Sequence, residues 1–228
     1  MDIFYDLRNQ LPRTVEPELQ ALRDSDFNVE MIIDNDLVVE AILRKGGDET
    51  KVQWFDDAET CKRFFPALED NEFGFRLHQA DVALNKVLCA SRRRTSPRDA
   101  VDLANITALY APLGPLVWAL TAKEPNIAPP TTIQNLRSIA FGYSEAEIRA
   151  VRMEDGGTMT RGKLRDILGT AFDTAFDYCN DIAPIEYDGC LFVDDNEIPV
   201  EADEEAISNK TVTARSIRDF TGLPVVGK

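Results

Sequence analysis

Residues Arg76 to Leu103 read RLHQADVALNKVLCASRRRTSPRDAVDL, and their periodicity predicts two helices joined by a basic loop. At roughly 100° per residue, Ala80, Leu84, Val87 and Leu88 gather on one side of a helix expected over Gln79–Ala90. Lys86 lies nearly opposite them, clear of the packing surface, where a lysine is ordinarily solvated. The second helix is announced by Ser96-Pro97, with Ser96 as N-cap, Pro97 at the first helical position and Asp99 three residues after the cap. Asp99 and Asp102 stand one turn apart on the face of Leu103, Ile106, Leu109 and Tyr110. Carboxylates that extend an apolar stripe need cations, hydrogen bonds or a metal to offset their desolvation. Arg92, Arg93, Arg94, Arg98 and Lys86 are the nearest cations in sequence. Two readings follow. In one, Asp99 caps the helix and favours its positive end while Asp102 clamps an arginine. In the other, a polar cleft holds an essential lysine and aspartate.

The run Leu77-His78-x-x-Asp81-x-Ala83-x-Asn85-Lys86, followed by Arg98-Asp99-x-x-Asp102-Leu103, resembles the AbiEii/AbiGii (MenT-like) nucleotidyltransferase toxins of the DNA polymerase β-like nucleotidyltransferase superfamily. That family places a lysine on one helix and an R/K-D-x-x-D-L signature at the opening of the next. The resemblance covers about the first half of the chain and continues weakly through Leu113-Gly114-Pro115-Leu116-Val117-Trp118. It implies Mg²⁺-dependent transfer of a nucleoside monophosphate from an NTP to an acceptor hydroxyl. A tRNA 3′ end is the leading acceptor, and a protein hydroxyl is the other. It also implies a toxin of a toxin–antitoxin system, with a cognate antitoxin as partner. Within that scheme Lys86 contacts phosphate, Asp99 or Asp102 orients Lys86 or acts as base, and Arg92, Arg93 and Arg94 guide a tRNA end or NTP. Asp2 is the metal ligand.

Asp2 enters through the opening β-type run Met1-Asp2-Ile3-Phe4-Tyr5. The resembled family carries a glycine motif, then a strand with aspartates at alternate positions. These point to one side of the sheet and hold Mg²⁺ by oxygen ligation. Asp2-Ile3-Phe4 matches the second half of that strand motif, with Met1 in the place between the aspartates. The glycine motif and first aspartate are not in this sequence. The expectation is therefore a start at a methionine internal to a longer protein. The alternative is a degenerate member that binds nucleotide, RNA or a partner protein without turnover. Where the family projects a third carboxylate, Val52-Gln53-Trp54 carries a glutamine, which binds a water or a base but is no anionic ligand. Asp57 at the strand end is a substitute, or else part of a solvated turn with Asp56.

The chain has 228 residues, 44% of them hydrophobic, enough for a real core as one domain with an appendage or two small domains. Forty acidic residues against 25 basic ones give a net charge of -15. Such a balance opposes non-specific binding to nucleic acid, so any contact with it must be local, and Arg92 to Arg94 is the local patch. Cys61, Cys89, Cys179 and Cys190 show no C-x-x-C spacing, and there is a single histidine, His78. Neither a zinc site nor a disulfide framework is indicated; the expectation is reduced, packing cysteines in a cytoplasmic protein. No signal peptide or membrane span is read. His78 is read as a hydrogen-bonding residue at a helix start.

The fold class expected is α+β: a small mixed sheet with helices, a nucleotidyltransferase-like core over residues 1–105, followed by a helical region over 106–183 and a short hairpin and polar tail over 184–228. Within the core, a helix is expected over Val15–Ser25 with Pro17 near its first turn, and a strand over Asn28–Ile33. Leu37–Leu43 and Lys51–Phe55 form a hairpin around Gly46-Gly47-Asp48. Phe64, Phe65, Phe73 and Phe75 are read as core aromatics. Later helices are expected over Ile106–Leu120 with a break at Pro112 to Pro115, Thr132–Ala140, Glu145–Val151 and Arg161–Cys179. The last carries an apolar stripe from Leu164 to Phe176, and Cys190–Val200 suggests a hairpin through Asp194-Asp195-Asn196.

Overall fold

The computed structural model describes residues 2–5, 11–56, 62–71, 74–92, 96–153 and 156–219. The class is α+β. Residues up to Arg63, together with Asp219, make one compact unit, and Phe64–Arg218 make a second. The two central helices share a core with the later helices.

In the first unit, strands β1 (Asp2–Tyr5), β2 (Asn28–Asp34), β3 (Val38–Lys45) and β4 (Asp48–Asp56) lie in the order β1-β4-β3-β2. β1 runs parallel to β4 and the other pairs are antiparallel, so the sheet is mixed. Gly46 (φ 62°) and Gly47 (φ 94°) close the β3–β4 hairpin, since its two-residue turn requires positive φ at both central positions. Val39, Ala41, Leu43, Val52 and Trp54 occupy alternate positions and bury one sheet face with Leu11, Val15 and Leu19 of α1 (Leu11–Asp24). The α1 helix begins four residues before the expected Val15, following this i, i+4 spacing. Pro17 therefore stands inside it, not near its first turn. The helix tolerates the missing N–H because Arg13, whose carbonyl loses its partner, is exposed. A two-residue strand, β5 (Lys62–Arg63), ends the run.

The second unit opens with the antiparallel pair β6 (Leu68–Asp70) and β7 (Gly74–Arg76). Helices α2 (Gln79–Arg92), α3 (Pro97–Leu109), α4 (Leu113–Leu120), α5 (Pro129–Phe141), α6 (Glu145–Arg149) and α7 (Arg161–Asp177) follow. The core is built around α4. All eight of its residues are buried, as expected of a helix that is apolar all round. Gly114 lets Tyr178 approach so closely that a Cβ there would lie 2.6 Å from the tyrosine ring. On α7 the buried residues are Leu164, Leu168, Phe172 and Ala175, while Phe176 turns to the surface. On α3 they are Ala100, Val101, Leu103 and Ala104. Leu109, expected on the shared face, is 83% exposed in the last turn.

After a π-helical turn (Tyr178–Ile182), β8 (Leu191–Val193) pairs with β9 (Thr213–Arg215) and also folds back on its own continuation, where the Val200 N–H donates to the Phe192 carbonyl and the Asp194 N–H to the Ile198 carbonyl. The turn through Asp194 is tight, with Asp194 Oδ1 accepting the N–H groups of Asn196 and Ile198, and Val193 is bridged antiparallel to Pro199. The three buried residues of β8 thus lie between their own continuation and β9. Residues 201–219, expected as a polar tail, hold α8 (Glu204–Ser208), β9 and β10 (Arg218–Asp219).

Cys89 is exposed rather than packed. Burial, with the Glu201 charge, pushes the Cys179 thiol up to about 12, which keeps it unreactive. Cys61, Asp57 and Phe73 lie outside the described residues. No helix among the described residues is long and apolar enough to cross a membrane.

Candidate functional site

Lys86 owes its position to α2. Ala83, Leu84 and Val87 are buried, which leaves Lys86 at the helix edge, half-buried and pointing across to α3. There Nζ donates to Asp102 Oδ2 at 2.8 Å, with the lysine side chain 39% exposed and the aspartate 28%. Ser96 sets where α3 starts: its hydroxyl accepts the Arg98 N–H at 3.2 Å, and Pro97 follows it. That start places Asp99 in the first turn, and Asp102 one turn further on, beside Lys86.

Burial is the largest influence on the Lys86 ammonium and pulls its pKa down. The Asp102 hydrogen bond and the charges of Asp102 and Asp99 together outweigh it, against the nearby Arg98 charge. The net direction is upward. Lys86 is thus a fixed cation at neutral pH, suited to holding phosphate charge and unsuited to acting as a base. Asp102 takes the lysine as partner, not an arginine. Asp99 acts on the same cation by charge and borders a small cleft with Leu136, Ile139 and Tyr143.

The remaining motif residues hold α2 in place. Asp81 is fully buried, and its two carboxylate oxygens accept the backbone N–H groups of Phe64 and Phe65 at 2.9 and 3.0 Å. Asn85 Oδ1 accepts from Lys123 Nζ at 2.8 Å. His78 stacks on Phe65 with centroids 3.8 Å apart, and its Nδ1 accepts the Ala80 N–H at 3.2 Å, the helix-start role read for it. His78 Nε2 also faces Glu197 Oε2 at 3.4 Å, and Glu197 binds Arg215, whose guanidinium lies over the Phe65 ring.

Arg92 is engaged by Glu124 in an ion pair. Arg93 and Arg94 lie outside the described residues. In the first unit, Asp2 is in register with Gln53 of β4, which is in register with Glu40 of β3. Glu40 is 8% exposed and accepts from both Gln53 Nε2 and Lys51 Nζ. Glu40 was not singled out in the sequence, although a charge at an alternate position of the apolar run Val38-Val39-Glu40-Ala41-Ile42-Leu43 marks it. An amide thus separates the two acidic positions of this row. Among the described residues no group of three or more His, Cys, Asp or Glu side chains is arranged to hold a metal ion.

No protein-family profile matches this chain, and no curated protein or solved structure matches it.

Proposed function

We propose that the chain is a nucleotidyltransferase that moves a nucleoside monophosphate from an NTP to an acceptor hydroxyl, with RNA as the leading acceptor. The observation that carries this reading is the half-exposed Lys86–Asp102 pair with Asp99 acting on the same cation. In the reaction, the acceptor oxygen bonds to the α-phosphorus while the bond from that phosphorus to the α–β bridging oxygen breaks. Pyrophosphate leaves with the electron pair. Lys86 offsets the charge that builds on the leaving group, Asp102 orients Lys86, and Asp99 takes the hydroxyl proton. No step is assigned to a resident metal. A toxin role with a cognate antitoxin rests on the sequence resemblance alone.

A second reading, nucleotide or RNA binding without turnover, is favoured by Gln53 and by the engagement of Glu40 with Gln53 and Lys51. The experiment that separates them is incorporation of each labelled NTP, with Mg²⁺ supplied, into total tRNA and into protein. Label that depends on Lys86 establishes transfer and names the acceptor. Saturable NTP binding without label supports the second reading.

A further inference from the structure

A groove of about 300 Å³ lies between the start of α3 and the segment that follows α6. Arg98 and Arg152 line it, over a floor that includes Pro97, Ala150 and Val151. Its one carboxylate, Glu147, is engaged in the capping box of α6, where it accepts from the Ser144 backbone and hydroxyl. The Ser96 hydroxyl already accepts the Arg98 N–H, so the donors the groove offers are guanidinium groups and not helix-terminal amides.

These two guanidinium groups stand together on one groove. The chain carries 40 acidic residues against 25 basic ones, so carboxylates are in excess. Arg23, Arg44, Arg76, Arg92, Arg137, Arg149 and Arg215 each form an ion pair. Arg98 and Arg152 form none among the described residues, and neither do Arg13, Arg161, Arg165 and Arg218, but only Arg98 and Arg152 line this groove. The Arg98 charge also acts on the Lys86 ammonium. Two exposed guanidinium groups kept apart from an acidic excess suit a ligand that brings its own paired anionic oxygens, which a guanidinium fork takes two at a time. The volume matches the lower end of small-ligand pockets.

We infer that this groove binds a phosphate group through Arg98 and Arg152, either from the polyphosphate tail of a nucleotide or from an RNA backbone. It is a binding site in its own right and does not require that transfer occurs.

The test is titration of the full chain by calorimetry with inorganic tripolyphosphate and, separately, with a short single-stranded oligouridylate. The wild type is compared with Arg98→Gln/Arg152→Gln and with Lys86→Ala, circular dichroism confirming that each is folded. Expected is saturable, salt-sensitive binding that weakens at least about tenfold in the double variant and persists in Lys86→Ala. Tripolyphosphate binding assigns the groove to a nucleotide tail, and oligouridylate binding alone assigns it to RNA. Binding abolished by Lys86→Ala but unchanged in the arginine variant overturns the groove while leaving the proposed function standing. Binding of neither probe by the wild type overturns it outright.

Discussion

Lys86 Nζ and Asp102 Oδ2 lie 2.8 Å apart, joining a lysine on the edge of α2 to an aspartate one turn inside α3. Both side chains keep part of their surface in solvent, so the pair adds roughly 0–1 kcal/mol to stability. Its larger effect is to hold one ammonium in one place and keep it charged.

Removing the partner should therefore change Lys86 more than the fold. In Asp102→Asn, burial and the Arg98 charge act on the ammonium with only the Asp99 charge opposing, so its pKa falls. The expected outcome is a lower Nζ titration midpoint by ¹⁵N NMR with a urea midpoint close to wild type. An unchanged lysine titration contradicts the arrangement.

Asp81 behaves differently, because it is fully buried and satisfies two backbone donors. Asp81→Ala leaves the Phe64 and Phe65 N–H groups without acceptors and should cost about 2–5 kcal/mol in urea unfolding. Asp81→Asn keeps one acceptor oxygen and should fall between.

Much of this was legible in the sequence, and the limits have physical causes. The extents of α2 and α3, the Ser96 cap and the Gly46-Gly47 turn are local properties, written in apolar spacing and capping chemistry. Lys86 and Asp102 were each readable as polar positions on their helices. Their pairing depends on how two helices pack, which spacing within one helix does not encode. An aspartate in a first helical turn, such as Asp81, ordinarily reads as favouring the helix dipole. Its acceptors' donors lie 16 and 17 residues upstream, beyond local periodicity. The β8–β9 pairing and the order of residues 201–219 escaped for the same reason: the partner strand follows a polar stretch with no alternating pattern. The engagement of Arg92 by Glu124 is likewise a tertiary event.

His78 is the chain's single histidine, so its titration can be followed through stability. Burial chiefly, with the Arg215 charge, lowers its pKa below 6.5 against the charges of Glu197 and Asp81. Its Nδ1 already accepts the Ala80 N–H, which a protonated ring cannot do. In the window between the folded value and 6.5 the unfolded chain binds more protons, so stability rises with pH there. The contribution is present above 6.5 and is lost as pH falls through the folded value. Urea unfolding on either side of pH 6.5 should show this slope in wild type and a reduced one in His78→Asn, which keeps a helix-start acceptor. Equal slopes contradict the buried neutral imidazole.

Gly114→Ala places a methyl 2.6 Å from the Tyr178 ring at the centre of the helical unit. Overpacking of this kind should cost roughly 1–3 kcal/mol. The urea midpoint of the purified variant checks it, and an unchanged midpoint would show that α4 and the π-helical turn are not in close contact.

The central claim is that Lys86 holds the phosphate charge of a transferring nucleotide. It is tested most directly by the single-turnover rate of label transfer from NTP to RNA in wild type and Lys86→Ala, each verified as folded. The account predicts a loss of roughly 10²–10³-fold with little change in urea midpoint. An equal rate in the two proteins contradicts it.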